Sequence, residues 1–141
     1  MRIEAAVLAA GTAEADVVVL AEPLSFWGGY DPATGRIVDA RHPQRGESLA
    51  DKVVLMPGGR GSSSSSAVLA EAIRAGSGPV AIVLRDADTI VALGAIVAEE
   101  LYGRRCPVVV VGADAFQALA AAGRLRVEAE DGIASVRTAS G

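Results

Sequence analysis

The spacing of apolar positions divides the chain into three stretches. At the N-terminal end, residues 5–9 and 17–21 are short runs of Ala, Val and Leu, which predict two strands. A polar and aromatic loop follows over 22–32. The placement of proline and glycine in Asp31-Pro32-Ala33-Thr34-Gly35 marks a turn, and 36–39 could leave it as a strand. In the middle, compact apolar runs at 52–56, 79–84 and 107–111 alternate with stretches of helical period. Val68, Leu69, Ala72 and Ile73 fall on one face of a helix over 67–75 that Gly76 ends. A long helix over 89–102 has Asp88 or Thr89 as its N-cap and Gly103 as its terminator. A shorter one over 114–122 is capped by Asp114 and stopped by Gly123. At the C-terminal end, 125–130 and 133–138 flank Asp131-Gly132, a two-residue hairpin signal. The reading is one α/β domain over 1–141. Its strands at 52–56, 80–84 and 107–111 pair in parallel through crossover helices, and β elements at both ends make the sheet mixed.

Composition narrows what such a domain can do. The chain has 141 residues, 51% of them hydrophobic and 21% charged, which excludes a disordered chain. A chain of this length can bury about 68–70% of its unfolded surface, enough for a core without staples. Aromatics are only 4%, so that core is built from Ala, Val, Leu and Ile. The net charge of -4, the lack of a basic stripe and the scarcity of stacking platforms argue against a nucleic-acid module. No stretch of about 18 apolar residues free of charge offers a membrane span, and Glu4 interrupts the N-terminal apolar run that would suggest a signal peptide. The one cysteine, Cys106, excludes an internal disulfide and a self-contained zinc or iron–sulfur site. It reads as a buried structural thiol in a reducing, cytoplasmic setting.

The candidate chemistry lies in Met56-Pro57-Gly58-Gly59-Arg60-Gly61, followed by five serines, Ser62 to Ser66. This stretch joins the C-terminal end of a strand to the start of a helix, which is where open α/β sheets bind ligands. Its glycines let the backbone approach a ligand, the helix start offers N–H groups, and Arg60 adds a planar cation suited to carboxylate or phosphate. The Gly-Lys-Ser/Thr ending of a phosphate-binding P-loop is absent, and the spacing is not a dinucleotide fingerprint. Serines in that position serve equally as helix N-caps. No Gly-x-Ser-x-Gly elbow is present, and the single histidine, His42, reads as a loop residue, so a hydrolytic triad within the chain is not supported. A serine that works here needs a site completed from outside the chain.

The segments Glu22-Pro23-Leu24-Ser25-Phe26-Trp27-Gly28-Gly29, Asp31-Pro32-x-Thr34-Gly35-Arg36-Ile37-Val38-Asp39, His42-Pro43, Gly59-Arg60-Gly61-Ser62-Ser63-Ser64 and Leu93-Gly94-Ala95-Ile96-Val97-Ala98-Glu99-Glu100-Leu101 resemble the swivel domain of the aconitase X family, in order and over nearly the whole chain. The resemblance implies a swivelling β/β/α domain and a hydro-lyase (dehydratase) activity shared with a large catalytic subunit. That partner would hold an iron–sulfur cluster through its own cysteines, and this chain would bind no metal or cofactor. It also implies that Ser62 is the proton acceptor. Arg60, Gly61, Ser63 and Ser64 are then candidate substrate contacts. Two substrates belong to the family, cis-3-hydroxy-L-proline, the leading expectation here, and mevalonate 5-phosphate. Two readings of other classes stand beside this one. A non-catalytic module would hold an anion with the same turn, and a structural partner would use Phe26, Trp27 and Tyr30 as an interface anchor.

Overall fold

The computed structural model describes residues 1–61 and 63–139. Its first two strands, β1 (Arg2–Ala9) and β2 (Gly11–Val19), are longer than the apolar runs suggest. Arg2, Glu4, Thr12, Glu14 and Asp16 are the outward positions of alternating strands, so apolar runs alone miss half of each. Both strands change partner along their length. β1 pairs antiparallel with β9 (Ile133–Thr138) over its first half and with β7 (Val108–Val110) over its second. β2 pairs antiparallel with β8 (Arg124–Glu130) and then parallel with β5 (Val53–Met56). These switches close the sheet into a seven-stranded barrel in the order β1-β7-β6-β5-β2-β8-β9, with β6 (Ala81–Leu84) between β5 and β7. Closure removes the exposed edges that an open mixed sheet would leave.

The expected parallel trio is present as β5, β6 and β7. These strands are apolar at every position because both of their faces are covered. Val53, Leu55, Ala81, Val83 and Val109 join Leu125, Val127, Ala129 and Val136 in one cluster that fills the barrel. Val54, Met56, Ile82, Leu84 and Val108 join a second cluster under helices α2 (Ser63–Ala75) and α3 (Thr89–Tyr102). Gly94 permits the close approach of these helices, since a Cβ there would lie 2.9 Å from Leu69 Cδ2 and 3.0 Å from the Ser66 carbonyl. Asp88 caps α3 by accepting from Val91 N, and Gly103 ends it in the left-handed conformation. The last helix, α4 (Ala113–Leu119), starts and stops earlier than expected. Gly112, at φ 83°, turns the chain into it, and Asp114 lies inside its first turn. The C-terminal hairpin forms as expected, with Asp131 and Gly132 both at positive φ.

The loop after β2 carries a four-residue helical turn, α1 (Phe26–Gly29), kinked at Trp27 and Gly28. Two short strands follow, β3 (Tyr30–Asp31) and β4 (Arg36–Ile37), around the predicted turn, where Asp31 O accepts from Gly35 N at 2.8 Å. Phe26 and Tyr30 are buried and meet edge to face at 5.3 Å. The Tyr30 hydroxyl donates to Ser77 O at 2.6 Å, tying this excursion to the far end of α2. Burial pushes the Tyr30 phenol up from 10.0 to about 12, with Asp31 adding to the shift. The neutral phenol therefore stabilises the fold fully below pH 10, and that contribution fades as pH rises to about 12. Tyr30→Phe is expected to lower stability near pH 8 by about 1 kcal/mol, the net value of a hydrogen bond. The difference from the parent should narrow between pH 10 and 12 in denaturant titrations.

Candidate functional site

Parallel strands β2, β5 and β6 end on the same rim of the barrel, and the loops that leave them converge there. The turn over 57–61 is braced from both sides. On one side Arg60 N donates to Leu24 O at 3.1 Å, and Leu24 bridges Gly59 in strand fashion. On the other, Gly59 N donates to Asp88 Oδ2 at 2.9 Å while Val91 N donates to Asp88 Oδ1 at the same distance. One carboxylate thus fixes the turn and starts α3. Gly59 is required by this approach, since a Cβ would sit 2.8 Å from both Asp88 Oδ2 and Val91 Cγ2. Gly61 is at φ +113°, and a Cβ there would lie 2.9 Å from the hydroxyls of Ser25 and Ser65.

The serine run divides by role. Ser62 lies outside the described residues. Ser63 and Ser64 are exposed on the first turn of α2, which carries no acidic residue. Ser65 and Ser66 are buried and structural. Ser65 Oγ accepts from Trp27 N at 3.3 Å and lies 3.5 Å from Ser25 Oγ, while Ser66 Oγ donates to Ile90 O at 2.7 Å. The helix therefore begins earlier than its apolar face indicated, because serines near its start are satisfied by the Trp27 backbone and by the first turn of α3. Arg60 points its guanidinium to solvent, 57% exposed and 4.0 Å from the half-exposed Glu22. So loose a surface pair contributes little and leaves the cation available to an anion. The structure thus brings Arg60, Gly61, Ser63 and Ser64 to one exposed rim.

Sequence patterns showed the turn but missed its supports. Asp88 was legible only as a cap, and its grip on Gly59 spans 29 positions of chain. His42 is buried. Its Nδ1 accepts from Gln44 N at 3.1 Å, so Nε2 carries the ring proton and faces Glu22 O at 3.2 Å. It lies in a loop, as its context suggested, and its ring ties that loop to Glu22. Cys106 is fully buried, and burial pushes its thiol up to about 12, the behaviour of an inert structural thiol. Among the described residues no group of three or more His, Cys, Asp or Glu could hold a metal ion. No helix among them is long and apolar enough to cross a membrane. A cleft of about 420 Å³ lies at the opposite end of the strands between Asp51, Gly78, Pro79 and Arg104, away from the serine rim.

A closed mixed barrel with crossover helices on one side and a braced Gly-Arg-Gly turn on an open rim defines a swivel-type α/β domain. The match to known families makes this specific. Residues 2–136 match the aconitase X swivel domain, and the chain belongs to that family. It is 47% identical over 114 residues to a cis-3-hydroxy-L-proline dehydratase of Pseudomonas aeruginosa, covering 81% of this chain and 20% of that protein. The chain thus spans about a fifth of that relative's length. It is 39% identical over 136 residues to a phosphomevalonate dehydratase small subunit of Thermococcus onnurineus, covering 96% of this chain and 98% of that one. The crystal structure of aconitase X from Thermococcus kodakaraensis superposes with a TM-score of 0.79 at 33% identity, covering 97% of this chain and 98% of that one.

Proposed function

We propose that this chain is the small subunit of an aconitase X-type hydro-lyase and that it brings a serine base to a small hydroxy acid held by a large catalytic partner. The observation that carries the reading is the 47% identity to a cis-3-hydroxy-L-proline dehydratase, which makes that hydroxy acid the first substrate to test. Mevalonate 5-phosphate is the second. It is favoured by the alignment to a phosphomevalonate dehydratase small subunit over 98% of that subunit's length. An exposed arginine beside a helix start suits either a carboxylate or a phosphate.

Dehydration removes a proton from the carbon next to a carboxylate and expels a neighbouring hydroxyl. In this reading Ser62 takes the proton, and Arg60 with the backbone at Gly61 and the hydroxyls of Ser63 and Ser64 orients the acid group. Help at the leaving hydroxyl would fall to the partner, where the iron–sulfur cluster that the resemblance implies would supply a Lewis acid. A serine hydroxyl is a poor base. The N-terminus of α2 supplies about 0.3–2 kcal/mol, little more than one pKa unit. The rest must come from Arg60, from the partner's charges and from exclusion of water when the two subunits close. A site on an open rim cannot exclude water alone, so the purified chain should be inactive. The proposed setting is the cytoplasm, in keeping with a buried reduced thiol.

The test is an anaerobic dehydratase assay of this chain co-purified with its large partner, with both substrates side by side. Turnover of cis-3-hydroxy-L-proline alone is expected. Turnover of mevalonate 5-phosphate alone transfers the assignment to the second reading. A stable complex that turns over neither removes the substrate assignment, and activity of the isolated chain removes the shared-site mechanism.

A further inference from the structure

Trp27 is the chain's only tryptophan, and its side chain stands 64% exposed beside the serine rim. It is not exposed through looseness. Phe26 before it is 2% exposed, and Gly29 two residues on is buried. The Trp27 backbone is held at both ends, its N–H donating to Ser65 Oγ at 3.3 Å and its carbonyl accepting from Ser25 Oγ at 2.9 Å. Its own backbone is extended (φ −84°, ψ 112°) inside an otherwise helical turn, and Gly28 then takes φ 79°, so the chain breaks its helix at the indole. The fold therefore presents a large apolar ring to water from a fixed backbone.

We infer that Trp27 is the anchor by which this face docks on the large catalytic partner. The inference rests on the proposed shared active site and adds a contact residue to it. The loop holding Trp27 and the turn holding Arg60 are one surface. Ser25 and Ser65 flank the loop's backbone, and their hydroxyls stand 2.9 Å from where a Cβ on Gly61 would be. A partner that brings substrate to the turn must come across the loop. An aromatic at the centre, with Arg60 and Glu22 half-exposed at its edge, is the make-up of an interface hot spot with a polar rim. The pinned backbone lowers the ordering cost of docking. The complementary feature on the partner is an apolar pocket bordering its substrate cleft, with a hydrogen-bond acceptor for the indole N–H.

Because the chain has one tryptophan, 5-fluorotryptophan labelling gives a single ¹⁹F resonance. Adding the unlabelled large partner without substrate is expected to shift that resonance and abolish its H₂O/D₂O solvent isotope shift. A Ser62→Ala chain should show the same change. Trp27→Ala should weaken the complex by about 30-fold or more, as hot-spot truncations do. Trp27→Phe should recover part of the loss, and both variants should keep the parent's thermal midpoint because the indole is exposed. A complex that forms and turns over with the resonance unmoved overturns the anchor and leaves the dehydratase reading standing. A resonance that moves only when substrate is added overturns the anchor in favour of a substrate contact. Absence of any complex overturns both.

Discussion

Ser62→Ala is expected to lower kcat of the assembled dehydratase by about 10²–10⁴-fold, the usual contribution of a positioned acid or base. KM should change little, because the hydroxyl acts in the transition state rather than in holding the ground state. Assembly, followed by sedimentation, should be unchanged. Ser62 is chosen because it directly follows Gly59-Arg60-Gly61 in the segment that matches the family pattern. Ser65 and Ser66 are excluded as bases on physical grounds, since both are buried and their hydroxyls hold Trp27 N and Ile90 O. Ser63→Ala and Ser64→Ala are the informative controls. Both residues are exposed on the first turn of α2, and their loss should raise KM more than it lowers kcat. If Ser62→Ala retained the parent kcat while one of these controls lost it, the base would have to be reassigned along the run.

The parts of this fold that could be read in the sequence are those set by local pattern. Strands β5, β6 and β7 are uniformly apolar because barrel contents and helices cover their two faces. Asp88, Gly103 and Asp131-Gly132 act through neighbours a few residues away. What could not be read depends on pairing across the chain. The barrel closes because β1 leaves β9 for β7 and β2 leaves β8 for β5, and no local period encodes a change of partner. The start of α2 was misplaced for a related reason. Serines favour caps and turns over helix interiors, and here Ser65 and Ser66 are kept helical by bonds to the Trp27 backbone and to the first turn of α3, both far off in sequence.

The site shows the same division. Glycines before a serine run, between a strand and a helix, marked this turn as a candidate site, and the structure places Arg60, Gly61, Ser63 and Ser64 together on an exposed rim. The parts that make the turn rigid were hidden. Asp88 reaches it from the loop after β6, and Ser25 and Leu24 reach it from the loop after β2. In the sequence Phe26, Trp27 and Tyr30 read together as one candidate interface anchor. Only the structure separates its members, burying Phe26 and Tyr30 as supports and leaving Trp27 in water.

Those supports make Gly61→Ala the sharpest test of how tightly the turn must be held. At φ +113° an alanine is strained, at a cost of about 1–3 kcal/mol. Its Cβ would also stand 2.9 Å from Ser25 Oγ and 2.9 Å from Ser65 Oγ, so something must shift. Both hydroxyls hold the Trp27 backbone, and moving them disturbs the loop as well as the turn. The strain alone should lower the thermal midpoint by about 3–10 °C in a chain of this size. The barrel and its two cores lie elsewhere, so the variant should still fold and still bind the partner, though more weakly. Turnover is expected to fall by about 10²-fold or more, because a displacement of about 1 Å at a reacting group costs that much. A matched comparison separates the two effects. Gly76→Ala places a Cβ in open space at φ +78°, at the far end of α2, and so carries backbone strain without touching the site. If Gly61→Ala and Gly76→Ala lost stability alike and both kept the parent kcat, the rigidity of the turn would have no part in the chemistry.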